Sequence, residues 1–369
     1  MVLENITPLT QGQREIVKAL KNPDYDIIGI FGPTGTGKSL FSLAYGIDAV
    51  VKGDYKRFVV VKPVIDVVTG KELTLADGEK FFELVKAYVL DVIGQFVDWS
   101  EIEDLIKEKK VIFVDPHYLK GRTFDDSVVF LDEIQTLKPE SVVEVLIRVG
   151  KNSRLLIAGD PIFQSFRMEE TRDPASMVRD VLVGEENAKV IDLGIKDIIR
   201  EGAKRGLRLL IEYRMRSREL SDVEKEILES AKIHSPDADI ITVVEFSEDK
   251  ERFEIRSEHT PDALIIVKQG HYGRLVGRGG ERIKAIEEDT EKKIRGVELT
   301  LDFRELIRSI HPVSWIWKHI RDVDFVGQCL TVEVKGEIGA FVGQRGIHVR
   351  FLDAVIRKLM GVGVKAVEV

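Results

Sequence analysis

The sequence predicts an α/β domain built on a parallel sheet, followed by two small α+β modules. Three observations carry this reading. Short continuous apolar runs alternate with helical or turn segments through the front half, the pattern of strands buried on both faces. A glycine-rich loop joins one such run directly to an apolar helical stretch. The back half holds an internal repeat at an offset of 66 residues without a gap. At 369 residues the chain has room for two or three domains of ~100–200 residues each. The boundaries read as 1–217 for the α/β domain, 218–239 for a helical linker, and 240–311 and 312–369 for the two modules.

In chain order, Thr10 is placed to cap a first helix from Gln11 to Leu20. Strands are expected at Asp26–Phe31, Phe58–Val61, Val111–Val114, Val128–Leu131, Leu155–Ala158 and Val190–Leu193. Amphipathic spacing predicts helices over Glu79–Val97 and Glu140–Arg148. Residues 196–233 are helical and densely charged; Ser217 and Ser221 can each begin a helix, Ser221 with Glu224 as capping-box partner. Ser235-Pro236-Asp237 marks a linker. Short strands follow at Ile240–Phe246, Phe253–Arg256 and Ala263–Val267. His311-Pro312 marks the second module boundary.

Gly32-Pro33-Thr34-Gly35-Thr36-Gly37-Lys38-Ser39 fits GxxxxGK[ST] in a strand–loop–helix setting. Such a loop surrounds phosphate oxygens with N–H groups, and the helix N-terminus adds positive potential. Lys38 is suited to the β- and γ-phosphates of ATP, and Ser39 to Mg²⁺. The run Val128–Leu131 ends in Asp132-Glu133, the pattern of an acid that helps hold Mg²⁺ followed by one that activates water. Leu155–Ala158 leads through Gly159-Asp160-Pro161 to Gln164, a position from which an amide can sense the γ-phosphate or simply fix a loop. Gln135 is a candidate relay to a polymer-binding surface. Gln13 either reads the adenine edge or is an exposed polar residue of a first helical turn. Arg122, Arg148, Arg154, Arg172, Arg179, Arg200, Arg214, Arg216 and Arg218 are candidates for the positive charge that hydrolysis needs; spacing alone does not choose among them.

The repeated unit places Gly277-Arg278-Gly279-Gly280 in register with Gly343-Gln344-Arg345-Gly346. Each lies between a strand pattern, Ala263–Val267 or Leu330–Val334, and an amphipathic helix; further strands follow at Val297–Asp302 and Val364–Val369. Missing side chains let a nucleotide backbone approach closely, the use made of GxxG in KH domains. Residues 268–295 carry eight basic and five acidic side chains, net +3; residues 335–358 carry five and two, again net +3. Arg282, Lys284, His348 and Arg350 join the loops as candidate nucleic-acid contacts. Degenerate modules that contact only protein are the plainer alternative, with Glu287, Glu288, Asp289 and Glu291 as surface residues. Trp315 and Trp317 can stack on bases, although their period-two spacing beside Pro312 fits packing between modules at least as well.

Composition narrows the function class. With 63 acidic and 55 basic residues the formal charge is −8, so any nucleic-acid surface must be a local basic patch. The single Cys329 excludes a disulfide framework and a thiolate-rich zinc site. No run of ~18 uncharged apolar residues predicts a membrane helix, and no secretory signal pattern opens the chain. A cytoplasmic location is the expectation.

These motifs, taken as a set over residues 5–215, resemble the PhoH-like family of P-loop ATPases, whose core is RecA-like. Leu9-Thr10-x-Gly12-Gln13 resembles its adenine-side motif, and Gly32 through Ser39 its phosphate loop. Gly121-Arg122-Thr123-Phe124 with Leu131-Asp132-Glu133-Ile134-Gln135 resembles its polynucleotide-side loop and acidic motif. Ile147-Arg148-x-Gly150-x-x-Ser153 and Gly159-Asp160-Pro161-x-x-Gln164 follow the same pattern. Lys196-Asp197-Ile198-Ile199-Arg200 resembles a segment near the end of the core, which makes Arg200 the first choice for the phosphate-sensing or intersubunit arginine. Two stretches depart from the family: Val64-Ile65-Asp66 and Thr69-Gly70 after Lys62-Pro63, and Ser165-Phe166-Arg167 after Gln164. Residues 240–369 resemble tandem KH domains, the second close to those of the transcription factor NusA, and the combination resembles an archaeal architecture. The resemblance implies an ATP- and Mg²⁺-dependent ATPase that binds single-stranded RNA and couples turnover to unwinding or ribonucleoprotein remodelling. An ATPase switch without unwinding, a DNA-directed enzyme and a passive binding module are the alternatives. One motor core further implies a homo-oligomer, such as a ring, to supply a second.

Overall fold

The computed structural model describes residues 1–65, 72–73, 78–115, 121–163 and 173–369. Gln164, Arg172, the Asp66 and Thr69-Gly70 stretch and Ser165-Phe166-Arg167 lie outside them. The chain forms two compact units, Met1–Ala203 and Lys204–Val369.

The first unit runs α1 (Gln11–Lys21), β1 (Ile27–Phe31), α2 (Lys38–Lys52), β2 (Arg57–Val61), a two-residue ladder β3 (Val64–Ile65) with β4 (Glu72–Leu73), α3 (Glu79–Ile93), α4 (Trp99–Lys107), β5 (Val111–Val114), β6 (Ser127–Leu131), α5 (Pro139–Leu146), β7 (Arg154–Gly159), α6 (Pro174–Leu182) and β8 (Ala188–Asp192). Six strands form one sheet in the order β5-β2-β6-β7-β1-β8, every pair parallel. Alternation along each strand divides the apolar side chains between two layers. Ile28, Ile30, Phe58, Val60, Val128, Phe130, Leu156 and Ala158 join the core with α1 to α4. Phe31, Val59, Val61, Val129, Leu131, Leu155 and Ile157 join the core with α5 and α6. Burial on both faces is why these strands read as unbroken apolar runs.

Thr10 caps α1 as expected, its Oγ1 accepting the Gln13 N–H at 3.2 Å. The helix expected over Glu79–Val97 stops at Ile93, where Gly94 closes it by donating to Leu90 O, and the separate α4 follows. Arg154 is buried at the start of β7. It donates to the carbonyls of Ala19, Leu20, Asn22 and Tyr25 and to the Tyr45 hydroxyl. Three of these acceptors, Ala19, Leu20 and Asn22, lie at the end of α1, which makes Arg154 a helix-end clamp.

The second unit continues α7 (Glu201–Arg216), whose first turn contains the boundary. It then runs α8 (Asp222–His234), β9 (Ile240–Glu245), α9 (Ser247–Arg252), β10 (Ala263–Lys268), α10 (Tyr272–Val276), α11 (Glu281–Thr290) and β11 (Ile294–Leu299). After these come α12 (Arg304–Ile310), β12 (Ile320–Val326), β13 (Cys329–Val334), α13 (Ile338–Val342), α14 (Ile347–Met360) and β14 (Gly363–Glu368). The sheets are β11-β10-β9 and β12-β13-β14, each with one parallel and one antiparallel pair. The 66-residue offset maps β10 onto β13, α10 onto α13 and the start of α11 onto that of α14. A longer α14 ends the register.

Three expectations change here. Ser221, not Ser217, begins a helix, with Glu224 completing the capping box. Residues 218–239 are not a spacer: α8 sends Ile227 and Ala231 into the core of Val243, Ala263, Ile265, Val267 and Leu275, so the helix is part of the first module. Phe253–Arg256 is not a strand. Glu254 turns at φ 53°, Ile255 N–H closes α9 on Lys250 O, and the Phe253 ring packs 6.4 Å from Phe351. Phe246 meets the same ring at 5.9 Å, and Lys358 pairs with Asp249 at 2.6 Å, so the modules share one body.

His311 sits in this junction, 1% exposed. Its Nδ1 accepts from Val313 N–H at 3.0 Å, which leaves Nε2–H to donate to Phe341 O at 3.0 Å. Burial pushes its pKa down to about 4. A neutral His in the fold means stability present above pH 6.5 and lost as pH falls toward 4, about 3 kcal/mol over that window. Urea unfolding followed by tryptophan emission should show this loss in wild type and a correspondingly smaller one in His311→Gln.

Candidate nucleotide site and nucleic-acid loops

All the strands of the first sheet are parallel, so their carboxyl ends meet at one edge, where a ligand crevice forms. β1 ends at this edge in the loop Gly32–Gly37, β6 in Asp132, β7 in Asp160 and β2 in Lys62. Gly32 has φ 151°, and a Cβ there would stand 2.7 Å from Leu193 O, so only glycine lets the loop turn this close to the end of β8. Lys38, first residue of α2, is buried and folds back over the loop; its Nζ donates to Gly32 O at 2.7 Å and Pro33 O at 2.8 Å. Burial lowers its pKa, opposed by the carboxylates of Asp160, Glu133 and Asp132. Thr36 Oγ1 ties the loop to itself through Pro33 O at 2.9 Å.

Ser39 Oγ donates to both Asp132 oxygens, at 3.0 and 3.2 Å. A hydroxyl and a carboxylate at one point form a hard oxygen donor set of the kind that suits Mg²⁺. Two further groups hold Asp132: the Tyr88 hydroxyl donates to Oδ2 at 2.6 Å, and Lys62 Nζ lies 3.4 Å from the same oxygen and 4.3 Å from the Tyr88 ring centroid. Burial, then the Asp132 charge, holds the Tyr88 hydroxyl well above its ordinary pKa, so it stays protonated and donates to Asp132. Tyr88 lies 44 residues from Asp132 on α3, where its ring fits the apolar face and carries no motif. If it orients Asp132, Tyr88→Phe should weaken Mg²⁺-dependent nucleotide binding about tenfold, one hydrogen bond to a charged group, and leave metal-free binding unchanged; fluorescent-nucleotide titration with and without Mg²⁺ measures both.

Glu133 stands in the left-handed region at φ 56°. Burial, reinforced by Asp132, raises its pKa, which favours a proton acceptor. Gln135 is a local brace: its Nε2 donates to Glu133 Oε2 at 2.5 Å and its Oε1 accepts Asp160 N–H at 3.0 Å, joining the ends of β6 and β7. Gln13 is buried rather than exposed. Its Nε2 donates to Thr36 O at 3.1 Å and its Oε1 accepts Leu9 N–H at 2.8 Å, so it buttresses the phosphate loop and both ends of its amide are engaged within the protein.

Among the candidate arginines that the structure describes, Arg200 lies beside the phosphate loop. A Cβ on Gly35 would lie 3.5 Å from its Nε. The preceding residues hold it there. Ile199 N–H donates to Gly35 O at 3.1 Å, and Asp197 accepts from Gly12 N–H and Gly194 N–H, each at 3.0 Å. Arg148, Arg179, Arg216 and Arg218 pair with Glu144, Asp192, Glu212 and Glu224. Arg122 packs over Phe124, which bridges to Val149 near the amino ends of β6 and β7, the edge opposite the phosphate loop.

The two glycine loops share one backbone. Gly277 and Gly343 have φ, ψ of 74°, 178° and 73°, 168°. Gly279 and Arg345 follow at φ 64° and 53°, then Gly280 and Gly346 at 84° and 76°. Arg345 thus accepts a left-handed conformation that its counterpart meets with glycine. Arg282 and His348, at matching positions, are fasteners. Arg282 donates to Arg274 O at 2.6 Å and pairs with Asp237; His348 Nδ1 donates to the corresponding Ala340 O at 3.1 Å. Their side chains lie under Gly277 and Gly343, where a Cβ would meet them at 2.6 and 2.7 Å. Arg278, Gly279, Gln344 and Arg345 are exposed at the loop tips, with Lys284 and Arg350 exposed nearby. Beside α10 and β11 opens a cleft of about 750 Å³ lined by His259, Tyr272, Arg295, Gly296 and Arg308 among others.

Comparison with known proteins agrees with this geometry. The family model for PhoH-like proteins matches residues 5–212, and that for the KH domain matches residues 239–311. A PhoH-like protein of Bacillus subtilis is 29% identical over 200 residues, covering 53% of this chain and 61% of that one. One from Synechocystis is 24% identical over 200 residues, covering 53% and 59%. Protein PhoH2 of Thermobispora bispora is 30% identical over 151 residues, covering 40% and 34%. The match therefore spans about three-fifths of the length of the first two relatives. The second module lies beyond the KH match and resembles the first in element order and loop conformation.

Proposed function

This chain belongs to the PhoH-like protein family, and on that premise we propose that it is an ATPase that binds single-stranded RNA and couples turnover to RNA unwinding or ribonucleoprotein remodelling. The observation that carries the reading is the convergence of Lys38, Ser39, Asp132, Glu133 and Arg200 at one edge of the sheet. In this reading the loop N–H groups and Lys38 receive the phosphates, Lys38 exchanging the carbonyls of Gly32 and Pro33 for phosphate oxygens. Ser39 and Asp132 would hold Mg²⁺, which supplies charge neutralisation across the β- and γ-phosphates. Glu133 takes a proton from the attacking water, and Arg200 stabilises charge on the transferring group.

The tips of the two glycine loops grip the strand backbone; Arg282 and His348 keep the loops in shape. RNA is favoured over DNA by the KH character of the first module. A second core from another copy completes the motor, so a homo-oligomer is the working form. ATP hydrolysis measured alone and with single-stranded RNA, single-stranded DNA and duplexes, followed by strand displacement, tests the reading. Stimulation by single-stranded RNA is expected. A rate indifferent to every nucleic acid defeats the coupling, and a chain that stays monomeric with ATP and RNA present defeats the assembly. Among the described residues no helix is long and apolar enough to cross a membrane.

A further inference from the structure

We infer that the segment joining α12 to β12 is a base-stacking platform for single-stranded nucleic acid, built from Trp315 and Trp317 with the cation Arg308 beside it. The inference rests on the nucleic-acid reading above and extends it to a surface outside both glycine loops. Ile316 turns inward and is 1% exposed, whereas Trp315 and Trp317 turn outward and are 45% and 44% exposed. Trp315 precedes the short 3-10 turn Ile316–Lys318 and Trp317 lies within it, so both indoles meet solvent at one turn of the chain. Neither indole N–H has a partner among the described residues.

Two half-exposed indoles two residues apart leave apolar surface in water. Their surroundings state which ligand relieves it. The Arg308 guanidinium lies 4.9 Å from the Trp317 ring centroid, and the His319 ring stands edge-on to Trp315 at 5.6 Å. Residues 302–322 hold four basic side chains, Arg304, Arg308, Lys318 and Arg321, against Asp302, Glu305 and Asp322, net +1 in a chain of net −8; Arg304 pairs with Asp302 and Arg308 with Glu305. Aromatic faces interleaved with cations fit unpaired bases on a polyanionic backbone. A duplex offers no free base face, so the partner is single-stranded.

The platform is also continuous with the first module. Arg308 lines the cleft that holds Tyr272 and Arg295, and Tyr272, 46% exposed, opens α10, which leads into the loop at Gly277. Two acids line that cleft: Glu298, occupied by Gly270 N–H and Tyr272 N–H at 2.8 and 3.0 Å, and Glu305, paired with Arg308 at 3.3 Å. A strand held at the first loop thus has an aromatic, cationic path through the cleft to Trp317 and Trp315.

The test uses the full chain. In a Trp99→Phe background only Trp315 and Trp317 emit. A 12-nucleotide oligouridylate should quench that emission, and an abasic 12-mer of equal charge should not. In polarisation titrations, W315A/W317A should weaken the oligouridylate about tenfold to a hundredfold, the scale of losing one or two stacked bases, with the salt slope unchanged. W315F/W317F should recover most of the affinity. Unchanged melting and far-ultraviolet dichroism keep the variants comparable. Unaltered affinity in W315A/W317A overturns the platform, as does an equal loss on the abasic strand. A fall in solution mass without a loss of affinity overturns it in favour of contact between copies. Failure of the wild-type chain to bind any 12-mer overturns the nucleic-acid reading itself, a separate result.

Discussion

Glu133→Gln should leave ATP bound with near wild-type affinity and lower single-turnover hydrolysis by about 10²–10⁴, the range for loss of a positioned general base. The substitution is nearly isosteric, and the amide can still accept from Gln135 Nε2, so the loop at the end of β6 keeps its shape. What disappears is an acceptor that burial and the Asp132 charge have made more basic. Lys38→Ala acts on a different step. It removes the one ammonium inside the phosphate loop, so affinity should fall along with turnover. Removing a charge-assisted hydrogen bond of about 1.5–3 kcal/mol implies roughly a tenfold to hundredfold weaker ATP. Equilibrium titration beside single-turnover rates separates the two. Full hydrolysis by Glu133→Gln would remove that residue from the chemistry, and unchanged affinity in Lys38→Ala would remove the loop from nucleotide binding.

The second large effect concerns the loop tips. R278D/G279D and Q344D/R345D should each weaken single-stranded RNA roughly tenfold to a hundredfold. The log–log salt slope should flatten by about 0.7 for each phosphate of a single strand that is no longer neutralised. These positions suit the test because their side chains are exposed and a Cβ on Gly279 meets nothing within 4 Å. Asp is also among the residues that tolerate the left-handed region best. The fasteners make the control. Arg282→Ala and His348→Ala should lower affinity by loosening the loop while the slope stays near wild type, since each side chain is tied to a backbone carbonyl beside the loop. If the tip variants keep both affinity and slope, the loops do not grip a backbone.

Much of the fold was legible because its signals are local. Thr10 and Ser221 cap helices through bonds three residues away. The strands announced themselves as apolar runs because both faces of the sheet are covered. The repeat was legible because its two copies keep one loop conformation, which demands glycine at the same first and last positions. Helix α8 misled for an equally physical reason: its charged exposed face dominates its composition, while only its inward residues, Ile227 and Ala231 among them, reveal the module it packs on.

The sequence by itself determined that a phosphate loop follows a buried strand, that an acid pair ends another, and that two glycine loops repeat. Each needs only a few neighbouring residues in fixed order. Tertiary structure alone brought Arg200 beside Gly35, set Tyr88 and Lys62 on Asp132, turned Gln13 into a buttress and put Trp315 and Trp317 in water. Those outcomes depend on chain segments that meet across long separations, 185 residues for Gly12 with Asp197 and 93 for Ser39 with Asp132. Side-chain direction at such meetings follows from packing and burial, which no spacing along the chain records.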